Sequence, residues 1–188
     1  MKNSVVLALY CSTLLLFSAF QITEDKFTRI DISEEISVSL PESFQPMTED
    51  QMQQKFLSAR PPLAAFTSPD QIADFSVSAA NTRWRADDLP ILKDFYRSSL
   101  LELYDEVDFL EEGIREIKGT PVAYFEFTSV VKPDEDAITS KSPVHRYSYA
   151  QYTIRQNKAI VFTFSCPRQR QNQWQPIAQK VMESVKLK

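Results

Sequence analysis

The chain has 188 residues, 43% hydrophobic and 24% charged, with 21 Lys/Arg against 25 Asp/Glu for a net charge of −4. That length holds one domain with a real core and excludes global disorder. With 2 Gly, 2 Cys and 1 His, the chain has no room for a Gly-rich phosphate loop, a dinucleotide fingerprint or a metal site of several His or Cys, and a Ser-His-Asp triad would depend on His145 alone.

Met1 and Lys2 precede an apolar run from Val5 to Phe20, which falls short of the roughly 20 residues a bilayer span needs. The pattern predicts a signal peptide over residues 1–21 and therefore a periplasmic or secreted protein. Retention of that segment as an anchor is the alternative, and peripheral membrane contact is expected only in that case. Tyr10 stands before Cys11, where lipoprotein processing needs a small residue. Once the signal is removed Cys166 is the remaining cysteine, so stability must come from burial rather than from an internal disulfide. Residues 22–31 are expected to form a linker and 32–188 a single domain.

Within that domain, Ile36 to Leu40 alternates apolar and polar and stops at Pro41, the signature of a strand. Thr48 and Gln51 stand at capping-box spacing with carboxylates between them, predicting a short helix to about Ser58. Leu63–Thr67 and Ala73–Asn81 read as strands around a turn at Ser68-Pro69-Asp70. Asp87 or Asp88 can cap a helix in which Leu92, Phe95, Tyr96, Ser99, Leu100 and Leu103 recur at three- and four-residue spacing. Val107–Lys118 and Val122–Val131 follow as strands joined through Gly119, then a polar loop over Lys132–Pro143. Tyr147–Arg155 and Ala159–Cys166 read as a hairpin, with Ile160, Phe162, Phe164 and Cys166 on one face. Asn172 opens a closing helix with a stripe of Trp174, Ile177, Ala178, Val181, Met182 and Val185, in which Pro176 is expected to cost little. Together these elements predict an α+β fold, with a central, mostly antiparallel sheet of six or seven strands covered by helices.

Charge is unevenly spread. Residues 22–116 hold 9 Lys/Arg and 20 Asp/Glu, whereas residues 117–188 hold 11 and 5. Two readings follow: a basic face offered to an anionic partner, or basic strands that neutralise the acidic ones, the reading favoured here. An exported, net-acidic chain is not expected to bind nucleic acid. Among chemical candidates, Cys166 beside His145 is read as a buried, inert thiol, and Asp134-Glu135-Asp136 as a solvated loop with no glycine to shape a cation site. Glu111 and Glu112 point to opposite faces of a strand and cannot act as a pair. The residues best suited to recognition are Arg83-Trp84-Arg85, an aromatic between two guanidinium groups, and Arg168 with Arg170 at a strand-to-helix junction. The bland reading of the first is a Trp folded over the core. No catalytic residue, metal or cofactor is expected.

Leu40-Pro41-Glu-Ser-Phe44, Pro61 to Phe66 leading into Phe75-Ser-Val77, Gly119-Thr-Pro121-Val-Ala-Tyr124 and Phe162-Thr-Phe164-Ser-Cys166-Pro167 with a helix ending Ser184-Val185-Lys186 resemble the PsbP-like group of α/β/α sandwiches, which takes in PsbP, Mog and DcrB/LpqN-type proteins. The resemblance covers about residues 32–188 and rests on turns and core aromatics. It implies a central antiparallel sheet covered by helices and a role in binding or assembly rather than catalysis. The functional expectation is an exported, non-catalytic envelope protein that binds a protein partner, which the basic segment would make anionic. A small-molecule or lipid carrier with a cavity lined by Phe125, Phe127, Phe162 and Phe164 is the alternative, ahead of an enzyme.

Overall fold

The structure, a computed structural model, describes residues 26–56, 61–133 and 142–188. The signal peptide expected over 1–21 and the Asp134-Glu135-Asp136 loop lie outside these residues. The first strand, β1 (Phe27–Asp31), pairs antiparallel with β2 (Ile36–Pro41), and β10 (Lys186–Leu187) at the C-terminus closes on the other edge of β2. Residues 27–31 are therefore a strand and not linker. Their apolar residues, Phe27 and Ile30, are three apart and break the two-residue alternation that marks a strand, while both pack against the core.

The second sheet has seven strands. In spatial order they are β3 (Gln45–Pro46), β4 (Ala64–Thr67), β5 (Asp74–Asn81), β9 (Lys158–Pro167), β8 (Val144–Arg155), β7 (Thr120–Val131) and β6 (Glu106–Ile117), with every neighbouring pair antiparallel. Its two long hairpins turn on two-residue loops with positive φ at both positions, Lys118 (50°) with Gly119 (81°) and Gln156 (49°) with Asn157 (59°). This backbone twist matches that of paired strands. The outer strand β6 carries a register shift between Phe109 and Glu111, so Leu110 bulges out of the ladder.

Helices follow the expected pattern with local differences. Helix α1 (Glu49–Lys55) begins with the anticipated capping box: Gln51 N–H donates to Thr48 Oγ1 and Thr48 N–H to Gln51 Oε1. Helix α2 (Leu89–Leu103) is preceded by a 3-10 turn, and the Asp88 carboxylate accepts from Arg85 N–H at 2.8 Å instead of capping the α-helix itself. Helix α3 (Gln171–Ser184) also follows a 3-10 turn, Arg168–Arg170. That places Pro176 in the second turn, where it removes a backbone bond rather than occupying a free position. Both Pro176 and Asn172, whose carbonyl loses its partner, are exposed to water.

Strand parity builds two cores from one sheet. Phe75, Val77, Tyr147, Tyr149, Phe162 and Phe164 face α3 and the β1–β2–β10 sheet, where Trp174, Ala178, Val181 and Met182 close over them. Ala123, Phe125, Phe127, Ala150 and Tyr152 face the opposite way and pack under Leu89, Leu92 and Leu100 of α2. The result is an α+β sandwich whose α3 layer also contains the small sheet.

Candidate functional site

Arg83, Trp84 and Arg85 lie in the connection from β5 to α2. Trp84 is half-buried against the α2 core, 6.5 Å from Phe95, and both arginines are exposed. Next to it, Ile91 and Phe95 occupy one face of α2 four residues apart and are 58% and 55% exposed. This apolar strip is backed by a run of rings into the core: Phe95 meets Tyr96 edge-on at 5.6 Å, Tyr96 stacks on Tyr152 at 3.9 Å, and Tyr152 meets Phe125 at 5.9 Å. Such backing supports Phe95 from beneath, with Trp84 beside it, and rigid aromatic support is what an interface anchor needs.

Arg168 and Arg170 are exposed at the other end of the sheet. β5 and β9 are neighbours, but they run antiparallel: Asn81 pairs with Lys158 and Asp74 with Ser165. Trp84 therefore lies beyond one end of the pair and Arg168 beyond the other, and the paired stretch from Asp74 to Asn81 alone is about 24 Å long. The two arginine clusters do not form one site.

Between those ends runs a trough on the α2 side of β5 and β9. Its floor is Asp74, Ser76, Ser78 and Ala80 of β5 beside Ser165, Thr163, Val161 and Ala159 of β9, the alternate positions of each strand. The polar end is a depression of about 560 Å3 that includes Arg146, Lys55 and Asp74; the apolar end, about 240 Å3, includes Pro61, Pro62 and Tyr96, and Phe56 lines both. Lys55 Nζ contacts both Asp74 oxygens at 2.6 and 2.8 Å, and Thr67 Oγ1 donates to the same carboxylate at 2.7 Å. The Arg146 guanidinium donates to Ser165 Oγ at 3.0 Å and has no carboxylate partner among the described residues. In the turn before β5, Asp70 accepts from Ser68 Oγ, which holds its carboxyl below the ordinary carboxylate value.

Other sequence candidates take structural places. Cys166 is fully buried opposite Tyr147, burial pushes its thiol up to about 11, and it makes no hydrogen bond with His145 among the described residues. Glu111 and Glu112 do point apart: Glu111 accepts from Tyr124 Oη at 2.9 Å, while Glu112 takes Lys93 and Arg97 of α2. Among the described residues, the basic C-terminal segment meets the acidic half through single bridges: β7 stands between β6 and β8, but Lys132, just past β7, bridges Glu106 at 2.7 Å and Lys188 bridges Asp31 at 2.9 Å. The carrier cavity fails on parity, since Phe125 and Phe127 face α2 and Phe162 and Phe164 face α3, each packed shut.

One buried group escaped sequence reading. Glu126 on β7 is 1% exposed and accepts from Tyr147 Oη at 2.9 Å and from the side-chain amides of Gln175 and Gln179 of α3. Nearby, Arg115 lies over the Tyr124 ring at 4.5 Å and donates to Tyr149 Oη. A carboxylate at an alternating strand position ordinarily reads as outward-facing, and only the two glutamines, four apart on α3, hint at a partner.

No family model and no curated protein matches the chain. Solved structures do. Cyanobacterial PsbP (CyanoP) from Synechocystis sp. PCC 6803 is 14% identical, with 92% of this chain and 99% of that chain covered at a TM-score of 0.57. The Ran-binding protein Mog1p of Saccharomyces cerevisiae is 11% identical, with 87% and 96% covered at 0.56. LpqN of Mycobacterium tuberculosis, described as involved in cell envelope biogenesis, is 8% identical, with 86% and 90% covered at 0.55. The chain thus has the PsbP-like fold, and at these identities the likeness concerns the fold alone.

Proposed function

We propose that this is an exported, non-catalytic binding protein that docks a protein partner through Trp84 and the exposed strip of α2. The observation that carries this reading is the cluster of Trp84, Ile91 and Phe95, apolar on the surface yet held from beneath by the Tyr96–Tyr152 stack. Interface anchors combine a large aromatic with rigid support and a polar rim, and Arg83 and Arg85 supply guanidinium groups at that rim that favour carboxylates on the partner. Export rests on the apolar run behind Lys2, and a partner-binding role accords with the fold shared with a Ran-binding protein and an envelope-biogenesis protein.

The test is a photo-crosslinking residue placed at Phe95 or, as control, at Arg168, in the full chain expressed in its own cells. A discrete protein adduct from position 95 that disappears with Trp84→Ala, and is absent from position 168, is the expected result. An adduct pattern indifferent to Trp84 refutes the docking surface. The same sample reports export, because the mature mass should lack about the first 21 residues.

A further inference from the structure

We propose that the trough over β5 and β9 binds a small anionic amphiphile, with a carboxylate or phosphate head against Arg146 and an apolar tail over Val161, Ala80 and Tyr96. The inference shares Tyr96 with the docking surface but rests on other observations. A seven-stranded sheet ordinarily has both faces covered. Here the α3 side of β5 and β9 is closed completely over Phe75, Val77, Phe162 and Phe164, none of them exposed to water. On the α2 side of the same strands Asp74, Ser76 and Ala159 are buried, whereas Ser78, Ala80, Val161, Thr163 and Ser165 are at least partly exposed. Among the described residues, this face is only partly covered, and its exposed positions are reached by solvent.

Charge selects the head group. Lys55 is matched by Asp74, and Asp74 is further tied by Thr67, so this ion pair presents no free charge of either sign. Arg146 is the cation left over, half-buried, with only the Ser165 hydroxyl as hydrogen-bond partner among the described residues. A guanidinium with unused donors binds a carboxylate or phosphate in a planar fork. The hydroxyls of Ser76 and Thr163 on the same floor supply further donors. Towards Ala159 the floor and walls become apolar, with Pro61, Pro62 and Tyr96 opposite Ala80 and Val161. From Ser165 to Ala159 the floor is six residues long, or about 20 Å, the reach of a medium-length alkyl chain with its head. The polar depression, at about 560 Å3, falls in the size range of small-molecule sites, and the apolar one adds about 240 Å3 beside it.

The test is calorimetric titration of the full mature chain with dodecanoate and dodecyl phosphate below micelle formation, alongside dodecanol and inorganic phosphate. Both anionic amphiphiles are expected to bind, with the uncharged alcohol and the tail-less phosphate each at least 10-fold weaker. Arg146→Gln should weaken both amphiphiles about 10-fold. Ala80→Glu, a substitution at an exposed position that leaves the core intact, should weaken them as much by placing a carboxylate where the tail lies. Trp84→Ala should leave their binding unchanged, which separates failure here from failure of the docking surface. Absence of binding by both amphiphiles, equal binding of dodecanol, binding by phosphate alone at full strength, or amphiphile affinity unchanged in a folded Ala80→Glu variant overturns the proposal. So does preferential binding of an acidic peptide over dodecyl phosphate.

Discussion

Glu126 and Tyr147 are expected to behave as one unit, and a double-mutant cycle measures it. Tyr147 is fully buried and its hydroxyl donates to Glu126 Oε1 at 2.9 Å; no other acceptor for it stands among the described residues. Tyr147→Phe removes a hydrogen bond to a charged group, which costs about 1.5–3 kcal/mol. At this chain length each kcal/mol moves Tm by roughly 2–4 °C, so the variant should melt about 3–12 °C lower. Glu126→Leu removes the carboxylate and its desolvation cost together, but it orphans the Tyr147 hydroxyl at about 1–3 kcal/mol. In that background Tyr147→Phe should cost nothing or even restore stability. The coupling energy, read from urea unfolding of the four proteins, should therefore be at least about 1.5 kcal/mol. Additivity within about 0.5 kcal/mol would show that the two groups are energetically independent and would refute the buried network.

Raising the pH should destabilise the fold in two stages. Burial raises the Cys166 thiol from 9.0 to about 11, so its contribution is complete below pH 9 and is lost as pH climbs through 9 to 11; urea midpoints should fall over that window, and less so in Cys166→Ala. Tyr147, Tyr149 and Tyr152 are raised by burial in the same direction, so ultraviolet titration should show them ionising only with unfolding, above the ordinary tyrosine value of 10.0. Phe164→Ala, at a fully buried ring, should cost about 3–5 kcal/mol, whereas Phe95→Ala, 55% exposed, should change stability by less than about 1 kcal/mol; equal effects would contradict the surface placement of Phe95. Gly119→Ala meets no atom within 4 Å, so its cost should be the backbone term alone, about 1–2 kcal/mol at φ 81°, and a neutral result would refute the turn geometry.

Much of the fold was legible because local signals agreed with tertiary burial. The stripes of α2 and α3, the capping box at Thr48 and the two hairpins each announce themselves within about a dozen residues. What escaped depends on pairing between distant segments. β1 lacks alternation and exists because β2 and α3 receive it; Arg29 donates to the Ser184 carbonyl at the end of α3. The relation between the arginine clusters turned on the direction of β9 beside β5, which no local pattern carries. The trough is a similar case: the serines of β5 and the Thr163 and Ser165 hydroxyls of β9 each read as ordinary outward positions, and they become a surface only when the strands are adjacent.

The outermost strand bears on how the molecule keeps to itself. β6 is twelve residues of sheet edge whose backbone groups invite another strand, and nothing covers them within the described fold. Along it stand Glu106, Asp108, Glu111, Glu112 and Glu116 against a single Arg115, with the Leu110 bulge interrupting the ladder. Two copies meeting edge to edge would bring carboxylates opposite carboxylates across an irregular register, which opposes runaway sheet growth at high concentration.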